Sequence, residues 1–192
     1  MKMRTFIATE LPGEIKDALS RLQGKLKNSQ ADVKWVEPQN IHLTLKFLGE
    51  RDEKSIEEIM RILQVVTKSR KSFNARISCL GAFPSINSPR IIWVGIDKGD
   101  SETKEIVKEL EDRIAKIGIP KEDRPFSSHI TIGRIRSPKN RDSLIRDLNH
   151  LQDKFGQVAM EFPVTKITLF KSVLEPRGPI YEVLKEENLK TI

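Results

Sequence analysis

Hydrophobic residues follow two spacings along this 192-residue chain. In short segments they alternate with polar residues, as in a strand with one buried face, and in longer segments they recur every three or four positions, as on one face of a helix. The alternation predicts strands at about 3–9, 33–36, 41–48, 73–82, 90–96, 129–135, 158–170 and 179–184. The helical spacing predicts helices after Leu11-Pro12-Gly13, at about 53–68, at about 101–117 and after Ser137-Pro138, a favourable cap-then-proline start. Strands and helices are therefore mixed along the whole chain, and no Gly/Ser linker divides it.

The segment NIHLTLKFLGE, residues 40–50, predicts a strand with one unusual face. Strict alternation places one set of side chains on an apolar face, namely Ile41, Leu43, Leu45 and Phe47. It places His42, Thr44 and Lys46 together on the other face. A face that carries an imidazole, a hydroxyl and an ammonium group is a candidate for chemistry rather than for packing.

A second segment repeats this pattern. Residues 42–45 read HLTL and residues 129–132 read HITI, and each is followed by a polar turn and an amphipathic helix. A single His-x-Thr strand usually carries a structural histidine, whereas a matched pair indicates a site. Two such strands, side by side, would place two imidazoles and two hydroxyls around one cleft. The remaining histidine, His150, has no threonine partner and is expected to be exposed near the end of a helix.

Composition limits the classes to which the protein can belong but does not identify its ligand. Lys and Arg exceed Asp and Glu by 34 to 27, which gives a net charge of +7. This excess fits either a polyanionic partner such as RNA or a solvated, Lys/Glu-rich surface. The single cysteine cannot form an internal disulfide, and no Cys/His group has zinc-finger spacing. No apolar run is long enough to span a membrane and no signal peptide is evident, so a cytoplasmic location is expected.

Paired histidines and threonines suit phosphodiester chemistry. In-line displacement at phosphorus requires a base on the attacking oxygen and an acid on the departing oxygen, and histidine can serve as either near neutral pH. Threonine hydroxyls can donate hydrogen bonds to the non-bridging oxygens, and a nearby cation can offset their charge. This mechanism requires neither a metal ion nor another cofactor.

These motifs resemble those of the two-histidine (2H) phosphoesterase superfamily, and specifically its 2′-5′ RNA ligase or RNA 2′,3′-cyclic phosphodiesterase branch. The resemblance extends over nearly the whole chain, through RTFIATELP, WVEPQNIHLTLKFLGE, PRIIWVGI, FSSHITIGRI and LFKSVLEPRGPIYEVL. It implies a single bilobal α+β domain over residues 1–192, with two pseudo-symmetric lobes, antiparallel sheets lining a central cleft and helices outside. Each lobe would contribute one His-x-Thr motif.

The resemblance also implies roles for individual residues. It implies that His42, Thr44, His129 and Thr131 are catalytic. It assigns phosphate contact to an arginine five residues after the second histidine, which is Arg134 here. One departure is Ser128, which stands where the family usually has proline before the second histidine, and which bears on local geometry.

The residues alone leave the direction of Arg134 open. Strict alternation from His129 sends Arg134 to the buried face, whereas a bulge at Gly133 would return it to the cleft. Lys46, on the His42 face, is a second candidate for phosphate binding. Trp35, Phe126 and Tyr181 are candidates for stacking on a base or ribose at the cleft rim, although most strand aromatics are packing residues.

The sequence therefore predicts hydrolysis of RNA 2′,3′-cyclic phosphate ends to 2′-phosphates by metal-independent acid/base catalysis. The same site would join such an end to a 5′-hydroxyl as a 2′-5′ linkage without ATP. The expected partner is an RNA end, with tRNA fragments among the candidates, and a monomer is expected. The alternatives are a phosphodiesterase for a small cyclic phosphate nucleotide and a non-catalytic RNA-binding module.

Overall fold

The computed structural model describes residues 2–155, 160–176 and 178–191. Its strands are β1 (Met3–Glu10), β2 (Val33–Trp35), β3 (His42–Arg51), β4 (Phe73–Ser85), β5 (Ser88–Ile96), β6 (His129–Ile135), β7 (Met160–Val164), β8 (Lys166–Glu175) and β9 (Gly178–Asn188). Its helices are α1 (Gly13–Lys27), α2 (Glu53–Ser69), α3 (Asp100–Ala115) and α4 (Arg141–Phe155). None of the helices in the described part of the chain has the length and apolar content needed to cross a membrane.

The strands form two antiparallel sheets. The first sheet has the order β3-β1-β8-β9, and the second has the order β2-β6-β5-β4-β7. Apolar residues from both sheets and all four helices form one contiguous buried cluster, which includes Ile7, Ile59, Leu110, Ile132 and Leu148. The mixed α+β class and the antiparallel sheets predicted from the sequence are confirmed.

The two sheets are built alike. The succession β1-α1-β3-α2 in the first half of the chain corresponds to β5-α3-β6-α4 in the second half. In each sheet the His-x-Thr strand lies beside the first strand of the succession just given. Strand β3 lies beside β1, and β6 lies beside β5. The first helix of each half contacts the sheet of the other half, since α1 contacts β6 and α3 contacts β3.

Two boundaries differ from the sequence prediction. The strand predicted at 158–170 is two strands, since the chain leaves the second sheet after Val164 and enters the first sheet at Lys166. Its predicted first residues, 158–159, lie outside the described residues. The fourth helix begins at Arg141 rather than at Ser137-Pro138, because Asn140 adopts a positive φ of 53° and the preceding residues form turns.

Strands β3 and β6 carry an extra residue at the same place, and β3 carries a further one at Leu48. Opposite β1, Ala8 pairs with Thr44 while Ile7 pairs with Lys46, so Leu45 is unpaired. Opposite β5, Trp93 pairs with Thr131 while Ile92 pairs with Gly133, so Ile132 is unpaired. Leu45 and Ile132 both lie three positions after the histidine of their motif, and each bulge reverses the alternation of the residues beyond it.

A buried glutamine satisfies the second bulge. Gln23 of α1 is 3% exposed, and its Nε2 donates to the carbonyl oxygens of Ile132 at 2.9 Å and Val36 at 2.8 Å. The amide of Val36 also donates to the Ile132 carbonyl, at 3.0 Å. The Gln23 side chain therefore connects the bulge in β6 to the segment that follows β2.

Replacing Gln23 with leucine should lower the free energy of unfolding by about 1–3 kcal/mol, because the substitution removes a buried donor from two carbonyl groups. Urea denaturation of wild type and Gln23→Leu measures this difference. Gln64→Leu, on the exposed side of α2, is the matched control and should stay within about 0.5 kcal/mol of wild type. Equal stability of Gln23→Leu and the control would show that the bulge does not depend on this side chain.

Candidate active site

Each His-x-Thr strand begins with a histidine held by the same backbone contact. Nδ1 of His42 lies 2.7 Å from the carbonyl oxygen of Asn40, and Nδ1 of His129 lies 2.8 Å from that of Ser127. A carbonyl oxygen only accepts, so Nδ1 carries the proton in both rings. Nε2 is therefore the nitrogen of each histidine that can exchange a proton with a ligand.

Aromatic side chains enclose His42. Its ring stacks on Phe6 at a centroid distance of 4.9 Å and meets Tyr181 edge-on at 5.3 Å. Burial lowers the pKa of His42 to about 4, and the nearby Lys16 ammonium acts in the same direction, against the raising effects of the Asn40 carbonyl and Glu10. His42 is therefore neutral near pH 7, with Nε2 as a proton acceptor.

His129 has a different aromatic environment. Phe83 meets its ring edge-on at 5.1 Å, and Trp93 lies at 6.4 Å. The indole of Trp93 fits beside the sheet because Gly81 and Gly95 have no side chains. A Cβ atom would lie 2.5 Å from the indole ring at Gly81 and 3.0 Å from it at Gly95. Sequence reasoning missed Phe6, Phe83 and Trp93, since an aromatic residue in a strand gives the same signal whichever face it occupies.

The two threonines lie on the same strand faces as the histidines. Thr44 pairs with Ala8 and Thr131 pairs with Trp93, and both side chains are partly exposed. Within the described part of the chain, neither hydroxyl group has a hydrogen-bond partner. Both hydroxyls can therefore donate to a ligand.

The bulge in β6 places Arg134 on the same strand face as Thr131. Arg134 pairs with Ile91, two residues from Trp93 on β5, so it shares the face of Thr131. The expected bulge is thus present, but its extra residue is Ile132 and not Gly133. Burial raises the pKa of the Tyr181 hydroxyl, and the positive charges of Arg134 and Arg4 oppose this rise. Arg134 therefore acts electrostatically on a residue of the first sheet.

Gly133 has a packing role instead. A Cβ atom at Gly133 would lie 2.9 Å from Val33 and 3.0 Å from Trp35. Trp35 therefore packs over Gly133, partly buried against the hydrophobic core. The prediction that Trp35 lies at the cleft rim is wrong, because its pairing with Gly133 places it on the face opposite Thr131 and Arg134.

The prediction that Lys46 shares the His42 face is also wrong. The bulge at Leu45 moves Lys46 to the core face, where its side chain is 1% exposed. Its Nζ donates to Glu111 Oε2 at 2.7 Å and to the Pro120 carbonyl oxygen at 3.2 Å. The same bulge brings Phe47, expected in the core, to the cleft face with 59% of its surface exposed.

A cleft of about 1200 Å³ extends from Thr44 and His129. Phe126, a predicted stacking residue, lies in its wall, and Tyr181 lies against His42. Its basic lining residues are Lys46, Arg90, Lys104, Lys108, Lys121 and Arg124, and its acidic ones are Glu111, Asp112 and Glu122. The charged residues of the wall are therefore mainly basic and suit an anionic ligand.

Ser128 fits the position where proline was expected. Its hydroxyl donates to Asp100 Oδ1 at 2.7 Å, and its carbonyl oxygen accepts from the Ile96 amide at 3.2 Å. These two bonds hold the segment before His129 without a proline.

Among the described residues, no group of three or more His, Cys, Asp or Glu side chains is arranged to hold a metal ion. His150 lies on α4 and is exposed, as expected.

Replacing Lys46 with methionine should lower the free energy of unfolding by about 3 kcal/mol or more, because it leaves the Glu111 carboxylate without its buried ammonium partner. The double variant Lys46→Met/Glu111→Leu should regain most of that loss. Lys98→Met breaks the exposed Lys98–Glu161 pair and is the control, with a loss below about 1 kcal/mol. Urea denaturation of the four proteins tests this, and a loss for Lys46→Met no larger than the control would contradict a structural role.

The low pKa of His42 can be measured directly. NMR titration of its ring protons should give a midpoint near 4, with the signal assigned by its absence in His42→Gln. Between pH 6.5 and this midpoint the unfolded chain binds a proton that the folded chain does not, so stability should decrease as the pH falls through that window. Tyr181→Ala should raise the midpoint by admitting water, whereas Ile180→Ala, on the exposed neighbouring position, should not. A wild-type midpoint at or above 6.5 would refute burial as the controlling factor.

Solved structures share this fold over nearly the full chain. A Thermus thermophilus protein of known structure superposes with a TM-score of 0.81 and 29% identity, over 98% of this chain and 99% of that chain. The crystal structure of E. coli LigT complexed with 3′-AMP superposes with a TM-score of 0.77 and 23% identity, over 98% and 99% of the two chains, and shows likeness of fold.

Sequence relatives agree with the structural ones. A Methanocaldococcus jannaschii protein named RNA 2′,3′-cyclic phosphodiesterase is 36% identical over 185 residues, which cover 96% of this chain and 99% of the relative. An Aquifex aeolicus protein of the same name is 39% identical over 155 residues, which cover 80% of both chains. The family model described as LigT like Phosphoesterase matches twice in tandem, at residues 10–93 and 94–181. With one His-x-Thr motif in each match, the chain belongs to the family of LigT-like phosphoesterases.

Proposed function

We propose that this protein is an RNA 2′,3′-cyclic phosphodiesterase that hydrolyses cyclic phosphate ends to 2′-phosphates. The observation that carries the proposal is the matched pair His42 and His129, each with its Nδ1 proton directed to a backbone carbonyl and Nε2 left for a ligand. Relatives at 32–39% identity bear the same activity in their names, which supports the same chemistry here.

From the low pKa of His42 we infer that this residue acts as the general base. Nε2 of His42 accepts a proton from water as the water oxygen attacks phosphorus. The bond from phosphorus to O3′ breaks, and His129, protonated at Nε2, gives its proton to O3′. The products are a 2′-phosphate and a 3′-hydroxyl. Protonated His42 returns its proton readily to solvent, since its pKa is about 4.

The remaining cleft residues would stabilise the charge that grows on the non-bridging oxygens. Thr44 and Thr131 donate hydrogen bonds from opposite sides, and Arg134 supplies a positive charge. These groups provide an acid, a base and electrostatic stabilisation, so the proposed reaction needs no metal ion. With a 5′-hydroxyl in place of water, the same steps give a 2′-5′ linkage without ATP.

The shape and charge of the cleft favour an RNA end over a small cyclic nucleotide. Its volume of about 1200 Å³ exceeds the roughly 300–1000 Å³ that surrounds a typical small ligand. A non-catalytic RNA-binding role would be served by lysine and arginine alone and would not require two matched histidine tautomers. We further propose that the protein acts as a monomer in the cytoplasm, with tRNA fragments among its candidate substrates.

Incubation with an oligonucleotide that ends in a 2′,3′-cyclic phosphate, in the presence of EDTA, tests the proposal. His42→Ala and His129→Ala should each lower kcat by about 10²–10⁴-fold, as expected for loss of a general acid or base, and His150→Ala should retain wild-type kcat. ³¹P NMR identifies the product, which should be the 2′-phosphate.

Three outcomes would overturn parts of this proposal. Near-wild-type turnover in either folded histidine variant would exclude the two-histidine mechanism. Loss of activity in EDTA that a divalent ion restores would exclude the metal-free reaction. A 3′-phosphate product would reverse the assignment of the leaving oxygen.

A further inference from the structure

The two His-x-Thr strands differ at one pair of equivalent positions. Phe47 and Arg134 each lie five residues after the histidine of their motif, and the equivalent bulges bring both to the cleft face. Arg134 lies near enough to Tyr181 to affect the pKa of its hydroxyl. The Phe47 ring lies 6.4 Å from that of Phe6 and lines the cleft together with Thr44 and His129. The two equivalent positions thus carry a guanidinium group in one half of the chain and an aromatic ring in the other.

Phe47 is an exposed aromatic ring in a cleft that two further phenylalanines also line. Its side chain is 59% exposed, although the chain has only eight phenylalanines and most of its apolar residues are buried. Phe83 and Phe126 line the same cleft, and we refer to the part of the cleft lined by these three phenylalanines as the aromatic groove. Exposed rings along a groove are the surfaces on which single-stranded nucleic acids stack their bases.

Basic side chains without ion-pair partners border the aromatic groove. Arg90, Lys108 and Arg124 line it and make no ion pair with any described residue. The acidic residues Glu111 and Asp112 are already paired, with Lys46 and Lys121 respectively. The charge that remains available to a ligand in the groove is therefore mainly positive and complements a phosphate backbone.

We propose that the aromatic groove binds the single-stranded RNA segment immediately 5′ of the cyclic phosphate. Bases of this segment stack on Phe47 and Phe126, and its phosphates contact Lys108 and Arg124. The inference rests on the proposed function, because it takes the cyclic end to lie between His42 and His129. It makes Phe47 a substrate-binding residue and makes affinity depend on the length of the RNA.

Kinetics on cyclic-phosphate substrates of one and six nucleotides test the proposal. Phe47→Leu should raise the KM of the hexanucleotide by about 5–100-fold, the range of one lost base stack, while kcat changes by less than about twofold. Val65→Ala, an exposed apolar position on α2 outside the groove, is the matched control and should have the wild-type KM. An equal KM for Phe47→Leu and Val65→Ala would overturn the stacking role.

The charged border has its own test. Lys108→Gln/Arg124→Gln should raise the KM of the hexanucleotide at least about tenfold more than that of the mononucleotide. For the hexanucleotide, the double variant should also reduce the slope of log KM against log salt concentration by about 0.7 for each lost phosphate contact. Lys25→Gln/Lys68→Gln removes two exposed charges outside the groove and is the control. The same change in the control, or equal effects on both substrates, would mean that only overall charge matters.

Equilibrium binding separates failure of this inference from failure of the proposed function. A labelled hexanucleotide with a plain 3′-phosphate binds without turnover and can be followed by fluorescence anisotropy. Weaker binding to Phe47→Leu would support the groove even if no cyclic phosphate were hydrolysed. Unchanged binding to Phe47→Leu, together with normal hydrolysis by wild type, would overturn the groove and leave the phosphodiesterase intact.

Discussion

The extra residues Leu45 in β3 and Ile132 in β6 determine which of the side chains after them reach the cleft. Side chains along a strand alternate, so one unpaired residue exchanges the faces of the residues beyond it up to the next irregularity, which in β3 is at Leu48. Without Leu45 and Ile132 as extra residues, Lys46 and Gly133 would face the cleft, and Phe47 and Arg134 would face the core. The bulge in β6 is held from the core side by Gln23, so the active face depends on a residue of α1 that never contacts it.

The equivalence of the two halves makes their differences informative. Both histidines have the same tautomer and both strands have the same bulge, but Phe6 and Tyr181 enclose one imidazole while Phe83 and Trp93 border the other. A symmetric cleft would have no means of distinguishing an attacking from a departing oxygen. Different neighbours on equal backbones keep His42 neutral near pH 7. The positions five residues after each histidine carry a phenylalanine in one half and an arginine in the other.

The sequence predicted the elements and the two His-x-Thr motifs because these depend on local spacing. It could not predict the faces of Lys46, Phe47 and Trp35, since each depends on the register with another strand. Alternation was extended through NIHLTLKFLGE, but pairing with β1 interrupts it at Leu45. The division of residues 158–170 between two sheets was missed for the same reason, because a continuous alternating pattern contains no information about which sheet it joins.

The order of strands in the first sheet also constrains how the chain folds. Strand β1, near the start of the chain, lies between β3 and β8, and its Thr5 pairs with Lys171. The first sheet therefore cannot be completed during synthesis until the ribosome has passed β8, and before then one edge of β1 has no strand to pair with. Pairing over such a sequence separation carries a large loop-closure entropy and slows folding. A nascent chain of this protein thus carries a hydrophobic strand with one unpaired edge through most of translation. The period before β8 pairs with β1, rather than the formation of the helices, is therefore the vulnerable stage of its biosynthesis, during which this edge has to be protected.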